Sequence, residues 1–335
     1  MKTFKEFQSI LIPEFTRSLD KFVDSSFLKN YIELTEIYKY HLGLDDDWSK
    51  QGKRIRPLLT LMCCAGTDAK WQKSLPAAVS IELIHNFSLI HDDIEDNGLI
   101  RRGKDAVWVK WGLSHGLNAG DAMFTSAFKV LLTLKDNVSE NITLKAVELL
   151  AETCGQLTMG QFLDIDFEER EFVSADEYLQ MINGKTAALI SCSTKMGALI
   201  GGFPPEEQKK YHDFGKALGI AFQMYDDWLG VWGDFKNTGK STTGDIVEGK
   251  KTLPIILGIK NSTRFAEKLK QGKISQNSAI EMAQWLKEDG IEKLVIDTYT
   301  QWTENAFISL KEMKCTKLVR NALIELTNNL LIRKK

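Results

Sequence analysis

The sequence predicts an all-α protein. Apolar residues recur at the three- and four-residue spacing of amphipathic helices along almost the whole chain of 335 residues, and the alternation typical of strands is scarce. Only 6 prolines interrupt this pattern, which favours long helices because proline breaks a helix interior. No internal repeat and no shift of composition marks a boundary, so we expect one domain over residues 1–335.

The helices follow one another with short glycine or proline punctuation, and Pro57 lies in a first turn, where its missing N–H costs little. The helices are predicted at 3–40 (one or two, ending near Gly43), 54–65, 73–96, 117–135, 140–165, 174–200, 205–231, 252–260, 277–289, 290–310 and 313–332.

Two segments depart from the helical pattern. Residues 101–116 are basic, aromatic and punctuated by glycine, and residues 233–251 are polar with four spaced glycines. The second segment is long for a loop within a compact domain, and such loops are usually functional. Its lysines suggest a lid that closes over an anion: Lys236, Lys240, Lys250 and Lys251.

Composition excludes several classes of protein. With 43% hydrophobic and 26% charged residues the chain can bury a core. The net charge of −2 argues against nucleic-acid binding, which usually needs a basic excess. The 5 cysteines form no CxxC pair, which indicates reduced thiols. No apolar run is long enough to span a membrane and no signal peptide is visible, so we expect a cytoplasmic protein.

The strongest local signal is the sequence DDIED at the end of the helix over 73–96. Four carboxylates crowd the helix end that prefers cations, and Asp92 and Asp96 share one face at i and i+4. Mg²⁺, which binds oxygen ligands and retains water, fits such a cluster. A solvated acidic helix end is the alternative interpretation.

A second acidic pair, Asp226-Asp227, lies in an otherwise apolar helix, where carboxylates are costly unless they are paired or bound to metal. Two such clusters facing each other would form a magnesium site for a diphosphate. A dispersed set of cations would hold the same polyanion, because arginine and lysine suit phosphate oxygens. This set comprises Lys53, Arg54, Arg56, Arg101, Arg102 and Lys185.

Six motifs in order resemble the trans-isoprenyl diphosphate synthase (polyprenyl synthetase) family. They are GKRIRP, DDIED before RRG, GDAM at 120–123, GKTAAL at 184–189, FQMYDD at 222–227 and GKSTTGDIVEGKKTLP at 239–254. The resemblance implies an isoprenoid-synthase-type helical bundle around a deep central cavity, usually as a homodimer. It implies condensation of isopentenyl diphosphate with an allylic diphosphate (dimethylallyl, geranyl or farnesyl).

The resemblance also assigns roles to residues. It implies three Mg²⁺ ions held by Asp92, Asp96 and Asp226, and it places the hydroxyl of Thr186 near the carbocation. Contacts to the allylic diphosphate are implied for Arg101, Lys185, Gln223, Lys240 and Lys250. Contacts to isopentenyl diphosphate are implied for Lys53, Arg56, His85 and Arg102.

The second aspartate motif departs from the family pattern. It should read DDxxD, but here it is DDWLG, with Gly230 at the position of the last acid. Asp234 lies one helical turn further on, although its helix would end near Gly233. Since Asp226 is the direct ligand in the family, we expect the metal site to survive.

Product length is expected to depend on Phe87, five residues before Asp92 and about 7.5 Å along the helix axis at ~1.5 Å per residue. Its ring is large enough to form a floor under the growing chain, whereas Ser88 beside it is too small. Met123 and Phe124 would share that role. In the resembling family an aromatic residue at the position of Phe87, without extra residues inside the first aspartate motif, is typical of C20 synthases, and DDIED has no such insertion. Geranylgeranyl diphosphate is therefore the expected product; farnesyl diphosphate or a longer product is the alternative.

Other functions remain open. A class I terpene cyclase would share the ionisation chemistry without a second diphosphate site. A non-catalytic subunit of a heteromeric synthase would be consistent with the missing acid at Gly230. If the protein were a purely structural helical bundle, the order of the motifs would be a coincidence. Glu82 and His85 form the ExxH spacing of di-iron bundles, but that chemistry needs a second copy and the sequence has none, which argues against iron. A core histidine is the alternative for His85.

Overall fold

The computed structural model describes residues 4–25, 30–44, 52–67, 69–233 and 243–331, and these are almost entirely helical. The helices of the described chain are α1 Phe4–Ser25, α2 Ile32–Leu42, α3 Ile55–Ala65, α4 Leu75–Glu95, α5 Val107–Trp111, α6 Leu113–Leu131, α7 Glu140–Glu169, α8 Ala175–Ile182, α9 Ala188–Gly201, α10 Pro205–Trp232, α11 Gly244–Glu248, α12 Leu253–Asn261, α13 Thr263–Leu269, α14 Gln276–Glu288, α15 Ile291–Glu312 and α16 Lys317–Leu331. Within those residues no helix combines the length and the apolar character needed to cross a bilayer.

Contacts divide the chain into two compact units that alternate along the sequence. Unit 1 comprises Met1–Cys154, Cys192–Tyr211 and Met313–Glu325, and unit 2 comprises Gly155–Ser191, His212–Glu312 and Leu326–Lys335. Because the long helices α7 and α10 run from one unit into the other, the units are not successive domains. One domain over 1–335 stays a prediction.

Unit 1 is built on α4, which packs along α6 and against α1 and α3. Its apolar residues are buried on nearly every side, among them Ala77, Ile81 and Ile84. The close approach of α6 depends on Gly120, because a Cβ at that position would lie 2.2 Å from Nε2 of His91. This packing fixes the helix that carries the first acidic cluster.

Unit 2 has its own apolar core, formed by residues of α8, α10, α12, α14 and α15. Between α8 and α9 the helix widens into one π-helical turn at Asn183–Ala187. Such turns are rare and frequently occur at functional sites. Two glycines allow this turn to pack closely against α7. A Cβ at Gly160 would lie 2.1 Å from the backbone nitrogen of Lys185, and a Cβ at Gly184 would lie 2.6 Å from the backbone carbonyl oxygen of Gln156.

The all-α prediction is confirmed, with four local differences. Residues predicted to be irregular at 101–116 form a two-stranded hairpin, Ile100–Arg101 with Lys104–Asp105, and then the short helix α5. The segment predicted to be a loop at 233–251 contains the short helix α11. Helix α13 and the π-helical turn were not predicted. Helices of five to seven residues are too short to show a clear period, which explains why periodicity alone missed α5 and α13.

Candidate active site

The carboxylates predicted to bind metal in unit 1 lie at the end of α4. Asp92 is half-buried and Asp96 is exposed. The Asp96 N–H donates to the Asp92 carbonyl at 2.8 Å, so the last turn is closed and the two residues share one face as predicted. Both side chains therefore belong to the exposed rim of an otherwise buried helix.

Asp93, between them, has a different environment. Its side chain is 3% exposed and accepts hydrogen bonds from Arg101, from Nε at 2.9 Å and from Nη2 at 2.5 Å. Paired hydrogen bonds of this kind fix the plane of a guanidinium as well as its position. Asp93 thus orients Arg101 on the hairpin.

The hairpin turn places Arg102 beside the same helix. Arg102 and Gly103 have φ values of 53° and 75°, and two consecutive residues with positive φ are typical of a tight hairpin turn. From there Nη1 of Arg102 donates to the His41 carbonyl at 3.0 Å and Nη2 donates to Oδ1 of Asn86 at 3.2 Å. Arg102 therefore links α2 to α4.

The cations at the start of α3 separate into different roles. Arg54 was grouped with the polyanion-binding cations, and this was wrong. Its side chain is 1% exposed and donates to Glu82 and to the Leu42 carbonyl, so it stabilises the packing of α2 and α4. Lys53 next to it is exposed.

Arg56 and His85 form a half-buried pair in unit 1. Nη1 of Arg56 lies 3.2 Å from Nε2 of His85. Burial lowers the pKa of Arg56 to about 10, opposed by Glu82. Burial, with Arg56 and Arg102 next, also holds the pKa of His85 well below 6.5. His85 is therefore a neutral group at physiological pH, able to accept a hydrogen bond from Arg56.

Phe87 begins a ladder of aromatic rings. It packs edge-to-face against His91 at 5.3 Å and against Phe124 of α6 at 5.1 Å, and Phe124 packs on Phe128 at 5.3 Å, between centroids. Ser88 does not join the ladder, because its hydroxyl donates to the His85 carbonyl at 2.9 Å.

In unit 2 the glycine contact between α7 and the π-helical turn brings Lys185 to α7. Nζ of Lys185 donates to Oδ2 of Asp164 at 2.5 Å. Asp164 lies one helical turn after Gly160, the residue whose missing side chain lets the backbones meet. The same pair of glycines therefore fixes the ion pair.

A hydrogen-bonded chain continues from the π-helical turn to α10. The hydroxyl of Thr186 donates to Oε1 of Gln223 at 2.7 Å, and Nε2 of Gln223 donates to Oδ1 of Asp227 at 2.8 Å. Oδ2 of Asp227 accepts from the Tyr178 hydroxyl at 2.6 Å. Burial raises the pKa of Asp227 to about 7, opposed by Tyr178 and Gln223.

Comparisons with known proteins identify the family of this chain. The profile of the family described as Polyprenyl synthetase matches residues 36–288. The chain belongs to this family. The sequence resemblance is thereby confirmed, and with it the isoprenoid-synthase fold.

Three proteins illustrate the similarity. A geranylgeranyl diphosphate synthase of Methanosarcina mazei is 41% identical over 221 residues, which is 66% of this chain and 67% of the relative. A (2E,6E)-farnesyl diphosphate synthase of Mycobacterium bovis is 41% identical over 224 residues, or 65% of this chain and 61% of that one. A crystal structure of a polyprenyl synthetase from Streptomyces coelicolor superimposes with a TM-score of 0.87 at 30% identity and covers 98% of both chains.

The carboxylates predicted to bind metal have the right chemistry for Mg²⁺. No three histidine, cysteine or acidic side chains of the described part of the chain converge to hold an ion by themselves. Unit 1 offers Asp92 and Asp96, and unit 2 offers Asp226. Their oxygens are hard donors, and Mg²⁺ is commonly bound by one or two carboxylates together with substrate phosphates and water.

Two of the loop lysines have described environments. Lys250 is exposed and pairs with Glu248 at 2.9 Å. Lys251 lines a cavity of about 360 Å³ with Phe172 and Ile259. Lys236, Lys240 and Asp234 lie outside the described residues.

Asp164 and Tyr178 were not found from the sequence, and Asp93 was counted in the acidic cluster without a role of its own. The GQFLD segment offered one signal, since a glycine within a helix often marks a close backbone approach. Nothing local distinguishes Tyr178, because its role depends on Asp227, which lies 49 positions away.

Proposed function

We propose that this chain is a trans-prenyltransferase that condenses isopentenyl diphosphate with an allylic diphosphate and makes geranylgeranyl diphosphate. One observation carries the proposal within the family. Each aspartate pair has one buried acid that positions a polar side chain, and its neighbour, Asp92 or Asp226, is only half-buried. This division suits a site in which one acid binds a metal–diphosphate and the other orders the groups around it.

In the proposed reaction the allylic C–O bond breaks, and its electron pair leaves with the diphosphate. The double bond of isopentenyl diphosphate adds to the allylic cation, and loss of a proton to the released diphosphate forms the new double bond. Arg101 and Lys185 would bind diphosphate oxygens from positions held by Asp93 and Asp164. Preorganised charges of this kind stabilise the charge that develops on a leaving group.

Three Mg²⁺ ions are proposed, with Asp92, Asp96 and Asp226 as their protein ligands. Bound Mg²⁺ would supply neutralisation of the leaving diphosphate's charge. Thr186 and Gln223 would align the reacting end of the substrate, because their hydrogen-bonded chain fixes both side chains. Lys240 and Lys250 are proposed as further diphosphate contacts.

Isopentenyl diphosphate is proposed to bind Lys53, Arg56, His85 and Arg102. Support comes from Arg56, whose buried Nε has no hydrogen-bond partner among the described residues. A buried guanidinium N–H without a partner is costly, and a diphosphate oxygen would satisfy it. Neutral His85, held against Arg56, would add a neutral ring to this cationic pocket.

Product length is proposed to depend on Phe87, supported by Phe124. The edge-to-face contacts on both sides of the Phe87 ring fix its orientation. A fixed ring makes a sharper limit to chain growth than a mobile one. Ser88 beside it is too small to block the growing chain.

The chain is proposed to act as a cytoplasmic homodimer. None of the five cysteines, all of them among the described residues, forms a disulfide, and reduced thiols suit a reducing compartment. Leu113 and Leu117 lie four residues apart on α6 and are 52% and 43% exposed, so this helix presents apolar surface that a second copy would bury. Light scattering after size exclusion, on the wild type and on Leu117→Lys, tests the dimer.

The function is tested by incubating purified protein with labelled isopentenyl diphosphate and each primer, dimethylallyl, geranyl or farnesyl diphosphate. We expect formation of a C20 product that requires Mg²⁺ and is abolished by EDTA. Product formed without isopentenyl diphosphate would identify a cyclase. Absence of product with every primer would favour the non-catalytic subunit.

A further inference from the structure

The cavity beside Lys251 in unit 2 has no part in the proposed reaction. Its volume is about 360 Å³, and ligand sites in proteins usually occupy about 300–1,000 Å³. The cavity is therefore large enough for one small molecule. None of the residues assigned to either diphosphate lines it.

The walls of this cavity are mainly apolar. They are formed by Phe172 between α7 and α8, Ile259 of α12, and Ala266 and Leu269 of α13. Ile259 and Leu269 pack on the apolar core of unit 2, so this side of the cavity is fixed. Phe172 is 58% exposed, which leaves a phenyl ring in water where the cavity opens. An apolar chain lying in the cavity would cover this ring, and burial of both surfaces would stabilise the complex.

The charged residues that line the cavity are two lysines and one acid. Nζ of Lys270 pairs with Oε1 of Glu171 at 3.2 Å, so these two charges compensate each other. Lys251 is half-buried, and no carboxylate in the part of the chain that the structure describes forms an ion pair with it. Its neighbour Lys250, in contrast, pairs with Glu248. One positive charge is therefore left uncompensated at the edge of an apolar cavity.

We propose that this cavity binds a single-chain amphiphile with an anionic head, of the class of an alkyl or prenyl phosphate. The head pairs with Lys251, since an ammonium group suits phosphate oxygens as a point charge. The chain lies against Phe172, Ile259 and Leu269. The volume is near the lower end of the range for ligand sites, which favours one chain over the two of a membrane phospholipid. Because the site is separate from the residues proposed to bind substrate, it does not depend on the proposed function.

A groove that holds only water is the competing account, because single apolar residues are common on protein surfaces. The two accounts differ in their dependence on the chain and on the charge of the head. Pairing of a phosphate with an exposed lysine is independent of chain length, whereas a chain in the cavity gains with each buried methylene. Dodecyl phosphate should therefore bind on the order of 10-fold more tightly than decyl phosphate. Dodecyltrimethylammonium, with the same chain and a cationic head, should not bind.

The test is isothermal titration calorimetry of the full chain with dodecyl phosphate below its micelle-forming concentration, with EDTA present. Lys251→Gln should weaken binding by about 10-fold, the effect of losing one charge-assisted hydrogen bond. Ala266→Trp should abolish binding, because the indole fills the cavity. Phe172→Ala changes an exposed residue, should weaken binding by a smaller factor, and decides the question if Ala266→Trp does not fold. Lys260→Gln removes an exposed charge of α12 outside the cavity lining and should bind as the wild type does.

Lys185→Gln separates this cavity from the candidate active site, because it removes a proposed diphosphate contact and should keep the affinity for dodecyl phosphate. Circular dichroism confirms that each variant is folded. Loss of binding in Lys185→Gln, or wild-type affinity in both Lys251→Gln and Phe172→Ala, would overturn the proposal. Equal affinity for decyl and dodecyl phosphate, equally tight binding of dodecyltrimethylammonium, or no binding to the wild type would also overturn it. Binding as expected in a protein that forms no prenyl product would contradict the proposed function alone.

Discussion

The two aspartate pairs, Asp92-Asp93 and Asp226-Asp227, have the same sequence but different electrostatic environments. Asp93 and Asp227 are both buried behind a half-buried first acid. Asp93 faces the guanidinium of Arg101, a permanent charge. Asp227 faces neutral donors, Tyr178 and Gln223, and burial raises its pKa to about 7. A buried carboxylate beside a cation is stabilised in its charged form, whereas hydrogen bonds from neutral groups only partly offset desolvation.

This difference indicates that the pairs position different kinds of group. In unit 1 the second acid holds a cation, so its loss also releases a charge. In unit 2 the second acid ends a chain of neutral hydrogen bonds, so its loss disturbs alignment. The first motif is also complete, whereas the second has Gly230 in place of its last acid.

The largest expected effect comes from the first acid of each pair. Asp92→Ala and Asp226→Ala should each lower turnover by about 100- to 1000-fold, the range for losing one electrostatic contributor at a reacting centre. The fold should survive because both side chains are half-buried. Turnover with labelled isopentenyl diphosphate over a range of Mg²⁺ concentrations measures this. Wild-type turnover at low Mg²⁺ in either variant would contradict its assignment as a ligand.

Substitution of the second acid should affect stability and turnover differently in the two pairs. Asp93→Asn leaves the Arg101 guanidinium without an anionic partner, and we expect a loss of about 1–3 kcal/mol in the free energy of unfolding. Turnover should fall on the order of 100-fold as Arg101 moves. Asp227→Asn leaves one acceptor oxygen for three donors, the Tyr178 hydroxyl, the Gln223 amide and the Leu253 N–H. We therefore expect a loss of about 1 kcal/mol in the free energy of unfolding.

Urea unfolding and steady-state kinetics measure both quantities. Arg101→Ala/Asp93→Asn should be no slower than Arg101→Ala alone, because Asp93 acts through Arg101. Additive losses in that double variant would show that Asp93 has a separate role.

A third comparison concerns Phe87, five residues before the first aspartate pair. Phe87→Ala should shift the product toward C25 or longer, since it removes the ring proposed as the floor of the product channel. Phe124→Ala should give a smaller shift, because it removes only the support of that ring. The Phe128 ring packs on Phe124, and among the described residues it has no ring contact with Phe87. Phe128→Ala is therefore the control, expected to keep the C20 product in chromatography. An unchanged product in Phe87→Ala would remove the main support for C20.

The smallest expected effect is on acid stability. His85 faces Arg56, Arg102, Arg54 and His41, and its pKa in the folded chain is well below 6.5. Below about pH 6.5 the unfolded chain binds a proton there and the folded chain does not, so stability falls as the pH falls. Each pH unit in that window costs about 1.4 kcal/mol for one such group.

The variant His85→Gln has no group that titrates at this position. Between about pH 7.5 and 5.5 it should therefore lose roughly 1 kcal/mol less stability than the wild type in urea unfolding. Equal losses in the two proteins would show that His85 is protonated in the folded state.

The sequence by itself determined the order of the helices and the positions of the acids and motifs. Helical period, glycine and proline punctuation and the i,i+4 relation of Asp92 to Asp96 are local properties, and short-range geometry suffices to predict them. The ordered motifs also determined the family. Where the pattern was too short to show a period, as in α5 and α13, prediction failed.

Only the tertiary structure decided which partner each of these residues has. Arg54 and Arg56 lie two positions apart, yet one is neutralised by Glu82 and the other pairs with His85. The sequence marked Gly230 as a lost acid, whereas the fold brings the side chain of Asp245 against it. These outcomes depend on contacts between residues distant in sequence, such as Tyr178 with Asp227. A burial cost or a charge partner arises only when packing brings two helices together, so no local pattern contains it.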